Sequence, residues 1–205
     1  MNKNVIITGI LLTWAFVSFA QSSLTIEASQ LFTNFKFKDS QGEKLNKEYN
    51  GIYSGAYRIS YRYDFDMGLM LRLGVGMRNA GANLTYDGSQ YSWRLKYLEE
   101  SLGVGYKYKL NKISPYLLVS FYLSQLLQGS QILNNEHFNI IDAESLKTSD
   151  LGLIFSPGVE FDVNDDMAAY LSFDYLLGLS NLEKIEAQKS SNSALGLTLG
   201  LQFKF

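Results

Sequence analysis

The last strand-length segment of the chain, residues 193–205, alternates without a break between apolar and small or polar side chains. From 195 to 205 every odd position holds leucine or phenylalanine, and from 194 to 204 every even position holds alanine, glycine, threonine, glutamine or lysine. Successive side chains of a β-strand point to opposite faces of its sheet. The segment is therefore predicted to be a strand with one wholly apolar face and one face that is small or polar.

Seven more segments repeat this alternation, two of them less cleanly, and bring the expected number of strands to eight: 24–37, 51–65, 67–78, 91–110, 115–127, 151–163 and 167–180. Three tight turns at 64–66, 111–112 and 164–166 alternate with four connections that are mostly longer and polar, 38–50, 87–90, 129–148 and 183–192. Short periplasmic turns opposite longer loops are typical of outer-membrane barrels. An even strand count then predicts that both termini are periplasmic.

One of the less regular segments, 91–110, changes its apolar phase along its length. Apolar residues occupy odd positions from Tyr91 to Tyr97 and even positions from Leu102 to Tyr108. A β-bulge inserts one extra residue and would absorb such a slip. We therefore expect a bulge at 98–101, which would leave Glu99 or Glu100 facing the apolar side.

The first residues have the layout of a secretory signal peptide. Lys3 precedes an apolar run over 5–17, and Ser18 and Ala20 are small residues at the −3 and −1 positions before Gln21. The run is shorter than the roughly 20 residues of a transmembrane helix. We predict a cleaved signal peptide over 1–20, export by the Sec route, and one mature domain over 21–205.

Charge and composition exclude several classes of protein. The chain holds 18 basic and 20 acidic residues, a formal net charge of −2, whereas a nucleic-acid partner calls for a concentrated basic face. It has no cysteine and a single histidine, so it can form neither a disulfide scaffold nor a thiolate metal site. No metal and no cofactor are expected.

A catalytic alternative depends on the one histidine, His137, which lies in the longest predicted loop. Potential partners in a nucleophile–base arrangement are close in sequence: Ser130, Asp142, Glu144 and Ser145. A lone histidine in a loop is more typical of a solvated side chain. The chain is therefore predicted not to be an enzyme, with a lipid-modifying enzyme as an open alternative.

The chemistry of the two strand faces separates a membrane barrel from a soluble lipocalin-like ligand binder, which also has eight strands. A soluble barrel hides its apolar face, whereas a membrane barrel turns it outward and carries aromatic girdles at both interfaces. The non-apolar face here is rich in glycine, serine and alanine, as a narrow interior requires. Aromatic residues cluster near the proposed periplasmic rim (Tyr61, Tyr63, Tyr106, Tyr108, Phe161, Phe203, Phe205) and near the other rim (Tyr53, Tyr86, Tyr91, Trp93). The sequence therefore predicts an all-β, eight-stranded, antiparallel, up-and-down transmembrane β-barrel in the outer membrane.

Charged residues on the same face as the small ones predict a network inside the lumen. The basic members are Arg58, Arg62, Arg72 and Arg78, and the acidic members are Glu27, Glu160, Asp162 and Asp174. An eight-stranded barrel is just wide enough to be filled by side chains, which favours a structural ion-pair network. A small gated pore lined by opposite charges is the alternative.

Two resemblances extend this interpretation. The final eight residues match the β-signal read by the barrel-assembly machinery, with Thr198, Gly200, Phe203 and Phe205 at its defined positions. Residues 97–120 resemble the PorT-like outer-membrane β-barrel family of Bacteroidota, with Tyr97-Leu98-Glu99 and Pro115-Tyr116 in agreement, while Glu100 and Ser101 stand where that family has an apolar residue and proline. The namesake of that family is tied to a secretion and gliding system.

The predicted function is that of a non-enzymatic integral outer-membrane β-barrel with a side-chain-filled lumen and a structural or partner-binding role, one that the resemblance would associate with secretion. Expected partners are outer-membrane lipid, the assembly machinery, and an envelope protein bound through the loops 38–50 and 129–148. The second of these loops is rather apolar, and we expect it to extend the barrel as a hairpin.

Overall fold

A computed structural model describes residues 20–38, 49–86, 89–134, 136–141, 146–184 and 188–205. Nine strands form within them: β1 (Ala20–Lys38), β2 (Tyr49–Phe65), β3 (Leu69–Tyr86), β4 (Ser89–Lys107), β5 (Ile113–Leu133), β6 (Glu136–Asn139), β7 (Ser149–Asp162), β8 (Met167–Gly178) and β9 (Lys189–Lys204). Within these ranges no helix is long and apolar enough to cross a bilayer. The predicted signal peptide lies outside the described residues except for Ala20, which begins β1.

Eight of the strands form one closed antiparallel ring. Sequence neighbours pair in turn, β1 pairs with β9, and β4 pairs with β5, so the sheet has no open edge around its circumference. The ninth strand, β6, folds back on the end of β5, with Glu136 opposite Leu133, and forms the predicted hairpin above the ring. The prediction of an eight-stranded up-and-down barrel is confirmed.

The wall of the barrel is apolar outside and polar inside. Along β9, the outward Leu199 is 63% exposed, whereas the neighbouring Thr198 is 1% exposed inside. The same alternation runs along every long strand, so a belt of leucine, isoleucine, valine and tyrosine surrounds the ring. This arrangement is opposite to that of a lipocalin-like soluble barrel, and it suits a barrel whose outer surface contacts lipid.

The two rims of the barrel differ in the length of their connections. One rim, called here the short-turn rim, holds the turns at 66–68, 108–112 and 163–166 together with Ala20 and Phe205. Gly68 sits there at a φ of 93°, and a Cβ at this position would lie 2.5 Å from the Lys107 carbonyl oxygen, so only glycine fits. The opposite rim, called the long-loop rim, holds the remaining connections.

Strand β4 corrects one expectation, the position of the bulge, and bears out another, that one of its two glutamates faces outward. Its odd positions face inward from Leu95 through Lys107, so the predicted bulge at 98–101 is absent and Glu99 lies inside the barrel. Only Glu100 faces outward, in register with Val75 and Leu123. The bulge is instead on β5, where Leu127 is the extra residue between the pairs Lys96–Gln128 and Tyr97–Leu126.

Candidate functional site in the barrel lumen

An ion-pair chain, called here the upper cluster, occupies the middle of the lumen and extends toward the long-loop rim. Arg58 donates hydrogen bonds to Glu27 (2.8 Å) and Glu99 (2.7 Å). Arg72 donates to the other oxygen of Glu27 at 2.6 Å. Arg78 joins Glu99 (2.6 Å) to a further carboxylate, Asp150 (3.2 Å). Three arginines and three carboxylates thus form one continuous buried chain.

A second group, called the lower cluster, closes into a four-membered ring near the short-turn rim. Arg62 pairs with Asp64 and Glu160, at 2.7 Å in each case. Lys107 pairs with the same two carboxylates, at 2.7 Å and 2.9 Å. All four side chains are buried. Each cluster therefore contains as many cations as carboxylates, so the lumen presents no excess of either sign along these two groups.

Glycines on β3 make the space that these side chains need. Arg72, Gly74, Gly76 and Arg78 occupy successive inward positions, so each large guanidinium has a neighbour without a side chain. A Cβ on Gly74 would lie 2.9 Å from Cδ of Arg58, and one on Gly76 would lie 2.9 Å from the Arg58 backbone. The small inward residues noted in the sequence therefore leave the space that the ion-paired side chains occupy.

Tyrosines from nearby strands donate hydrogen bonds to the carboxylates. The Tyr170 hydroxyl donates to Glu27 at 2.7 Å, and the Tyr122 hydroxyl donates to Asp150 at 3.1 Å. The rings of Tyr122 and Tyr97 also lie 5.2 Å and 5.0 Å from the Arg78 guanidinium carbon, within the range of cation–π attraction. A charge removed from water needs such partners, because an unpaired buried charge costs several kcal/mol.

Above the upper cluster the lumen becomes apolar. Side chains from the five strands β1 to β5 and from two connections meet there and form what we call the apolar cap: Phe35, Tyr49, Ala80, Ala82, Leu95, Tyr97, Leu126, Ile140 and Leu182. Trp93 packs against this cap and lies 6.1 Å from Phe35 and 5.6 Å from Tyr49 between ring centroids. The expectation that Trp93 belongs to an outward aromatic girdle is therefore wrong. The cap thus places buried apolar side chains between the upper cluster and the long-loop rim.

The structure brings six of the eight residues proposed for the lumen network into ion pairs: Glu27, Arg58, Arg62, Arg72, Arg78 and Glu160. Asp174 is buried but bonds to the hydroxyls of Ser172 (3.0 Å) and Thr198 (2.7 Å). Asp162 is not a buried member, because it is 36% exposed at the short-turn rim, where it pairs with Lys204.

Four members of the clusters are absent from the sequence-based proposal: Asp64, Glu99, Lys107 and Asp150. For Glu99 and Lys107 a cue is present in the sequence. Ser101, Gly103 and Gly105 continue the same odd row, and small residues mark the inner face on the other strands.

The residues of the proposed β-signal divide between the two faces of β9. Thr198 and Gly200 point inward, and Phe203 and Phe205 lie on the outer face at the short-turn rim. Gly200 lies directly against Tyr170, whose Cζ would be 2.1 Å from a Cβ at this position. Half of this motif is thus accounted for by packing inside the barrel.

His137 lies on β6 with an exposed side chain, in register with Ile132. Of its proposed catalytic partners, Ser130 pairs with Asn139, while Asp142, Glu144 and Ser145 lie outside the described residues. In the part of the chain that the structure describes, no three histidine, aspartate or glutamate side chains converge as metal ligands.

An eight-stranded ring with an apolar exterior and a charged, filled interior defines an integral membrane β-barrel. The chain belongs to the family described as outer membrane protein beta-barrel domain, whose family model matches residues 10–203. It is accordingly a protein of the outer membrane. No curated protein matches the chain significantly.

Solved structures share this architecture at low sequence identity. Neisserial surface protein A is 15% identical with a TM-score of 0.57, over 91% of this chain and 99% of that chain. OprG from Pseudomonas aeruginosa is 12% identical with a TM-score of 0.59, over 91% and 96%. Ail, the attachment invasion locus protein of Yersinia pestis, is 14% identical with a TM-score of 0.50, over 91% and 99%. These similarities show a common fold.

Proposed function

We propose that the chain is a non-enzymatic outer-membrane barrel with a closed lumen, whose role is structural or partner-binding. The observation that carries this proposal is the filling of the lumen by two charge-balanced ion-pair clusters under an apolar cap. A selective pore needs a hydrated path lined by one sign of charge or by carbonyl oxygens. Here the charges of the two clusters are paired with each other, and Arg78, Tyr97 and Tyr122 are fully buried in the cross-section.

The proposed orientation has the short-turn rim in the periplasm and the long-loop rim outside the cell. Tight turns at three of its connections, together with both ends of the barrel domain at the same rim, support this orientation. Export by the Sec route, cleavage after Ala20 and recognition of β9 by the barrel-assembly machinery belong to the same proposal. The sequence patterns of residues 1–20 and 198–205 support them.

Partner binding is assigned to the long-loop rim. The β5–β6 hairpin projects beyond the ring, all four residues of β6 are exposed, and the strand order places β6 at an edge. An edge strand offers backbone groups to an incoming strand. Of the proposed loops 38–50 and 129–148, the segments 39–48 and 142–145 lie outside the described residues.

Membership in the PorT-like group, and with it a secretion-associated role, is the finer part of the proposal. Its support lies in what the shared motif residues do in the barrel. Tyr97 lies in the apolar cap, Glu99 joins two arginines, and Tyr116 packs against Tyr170 in the lumen with 6.3 Å between ring centroids. The motif thus corresponds to lumen filling, which agrees with a closed barrel.

Single-channel recording tests the closed lumen. The full chain is reconstituted into planar bilayers, and its insertion is verified by the shift in gel mobility between folded and heated samples. We expect no reproducible unitary openings. Openings whose conductance changes in an Arg72→Ala variant would assign the current to this lumen and replace the proposal with the gated-pore alternative. A Lys109→Ala variant, altered at the exposed short-turn rim, serves as the control.

In-cell photo-crosslinking tests partner binding. A photoreactive residue in place of Phe138 on β6 is expected to give a discrete adduct with an envelope protein, because this exposed position lies on the projecting hairpin. The same residue in place of Lys109, on the opposite rim, is the matched control. Identical adducts at both positions, or none at Phe138 in a correctly assembled barrel, would refute an interaction through the hairpin.

A further inference from the structure

A cleft of about 850 Å³ opens on the outer wall near the long-loop rim and is not part of the lumen. It is built on the neighbouring strands β2 to β5, with β6 above it. Lys96 is in register with Asn79 on one side and Gln128 on the other, and Arg94 is in register with Ser130. Toward the long-loop rim, the outward row of β3 changes from apolar Met77 to polar Asn79. The outward row of β4 changes in the same direction from Leu98 to Lys96 and Arg94.

The cleft is strongly biased toward positive charge. Two cationic side chains, Arg94 and Lys96, line it beside His137, and among the residues that the structure describes no aspartate or glutamate lines it. The Arg94 guanidinium is held in place by hydrogen bonds to the Asn83 side-chain oxygen (3.1 Å) and the Trp93 carbonyl oxygen (2.9 Å). The outward carboxylate on the same strand, Glu100, lies four residues from Lys96, about 13 Å along the strand.

The depth of the cleft coincides with the edge of the membrane. From Tyr106 to Leu98 the outward row of β4 is apolar except at Glu100, and the eight residue steps between them span about 26 Å along the strand. A tilt of 35–45° reduces this to about 20 Å along the membrane normal, close to the roughly 25 Å apolar band of an outer-membrane barrel. Lys96 and Arg94 therefore lie at the level of lipid headgroups.

The lining also suits an amphiphile. Ile52, Tyr53, Leu127 and Phe138 form its apolar part, and the amides and hydroxyls of Asn79, Gln128 and Ser130 supply neutral hydrogen-bonding groups beside the cations. Charge-assisted hydrogen bonds from arginine and lysine are the strong interactions by which proteins bind phosphate. Acyl chains of a molecule held here would run down the apolar wall past Leu98 and Met77.

We propose that this cleft binds the phosphate-bearing headgroup of an anionic lipid in the adjoining leaflet. Under the orientation given in the proposed function, on which this step rests, that leaflet is the outer one. The site differs from the lumen in facing the lipid, and it assigns a specific role to Arg94 and Lys96, which have no carboxylate partner among the described residues that line the cleft.

Native mass spectrometry of the full chain, folded in a neutral detergent, tests the proposal. The protein is titrated with bis-phosphorylated lipid A and, separately, with phosphatidylcholine. We expect tighter binding of lipid A, and an Arg94→Gln, Lys96→Gln double variant to bind it about tenfold or more weakly, because two charge-assisted contacts are lost. A Lys109→Gln, Lys112→Gln variant, which loses the same charge at the exposed short-turn rim, is expected to bind like the unmodified chain.

Three outcomes would overturn the proposal: equal affinity for the two lipids, equal loss in both double variants, or displacement of lipid A by millimolar inorganic phosphate, which would make the cleft a site for the free anion. Because detergent gives access to both rims, the binding result does not depend on which rim is periplasmic. Failure of the chain to insert as a closed barrel would appear in the gel-mobility shift and in conductance, and would count against the proposed function instead.

Discussion

Glu99 and Arg78 form an ion pair of 2.6 Å inside the barrel, and each side chain is only 2% exposed. Glu99 also accepts a hydrogen bond from Arg58, so one carboxylate holds two arginines that come from different strands. The next residue, Glu100, has the same chemistry on the opposite face of β4, between Val75 and Leu123. Adjacent glutamates thus experience the two environments of this protein, a paired interior and an apolar exterior.

The first prediction exploits this pair. Glu99→Gln is expected to destabilise the barrel by about 3–5 kcal/mol, because Arg58 and Arg78 lose their shared counter-ion while they remain buried. Glu100→Gln is the matched control and is expected to be neutral or stabilising, since it removes a charge from the lipid face. Urea unfolding in lipid vesicles, followed by tryptophan fluorescence, measures both. A stability loss for Glu100→Gln equal to that for Glu99→Gln would contradict the assigned faces.

The lower cluster leads to a second prediction, on coupling. Lys107→Met should destabilise the barrel by about 3 kcal/mol or more by leaving Asp64 and Glu160 to share Arg62. Asp64→Asn in the same chain should recover part of this loss, with a coupling energy of about 0.5–3 kcal/mol in a double-mutant cycle. The exposed pair of Lys109 and Asp66, separated by 3.9 Å on the same rim, should show a coupling near zero. Additive losses at Lys107 and Asp64 would argue against the four-membered ring.

The fold could be predicted because the alternation on β3, β8 and β9 is nearly perfect. Strict period-two patterning in a chain with no cysteine and a polar face rich in glycine is compatible with few architectures. Strand β4 was predicted, but the faces of its side chains could not be assigned, because a side chain there can be apolar for two different reasons. Near the short-turn rim Leu102 and Val104 are apolar because they face lipid, while near the long-loop rim Leu95 and Tyr97 are apolar because they form the cap.

This double meaning also explains the errors at the site. The apparent change of phase left open whether Glu99 or Glu100 faces inward, although the row of Glu99 continues through Ser101 and Gly103 to Lys107. Asp150 was missed because β7 begins at Ser149, two residues before the apolar alternation becomes visible. Most of the ion pairs join residues on different strands, so they depend on the register between strands. That register is set when the barrel closes and cannot be inferred from the sequence of one strand.

The third prediction separates packing from recognition in the last strand. Gly200→Ala should destabilise the barrel by about 1–3 kcal/mol, since the added methyl group overlaps the Tyr170 ring. Gly55→Ala is the control, because its Cβ would meet only the Ser29 carbonyl oxygen at 3.4 Å. Refolding into detergent, without assembly machinery, measures the effect. Normal stability of Gly200→Ala in vitro, combined with failed assembly in cells, would instead assign the glycine to recognition by the assembly machinery.

The fourth prediction concerns pH and the connection between β8 and β9. Burial raises the pKa of Glu183 above its usual 4.5, and the hydrogen bond from the Ser190 hydroxyl opposes this only in part. The folded loop therefore favours the protonated acid, so this contribution to stability is present below the unfolded-state pKa and is lost as pH rises through the folded value. Glu183→Gln should remove that dependence and protect the Leu182 and Ser190 amides better at pH 7. Hydrogen exchange at pH 4 and pH 7, corrected for intrinsic rates, measures the difference, and equal protection in both proteins at pH 7 would show that Glu183 is not destabilising when charged.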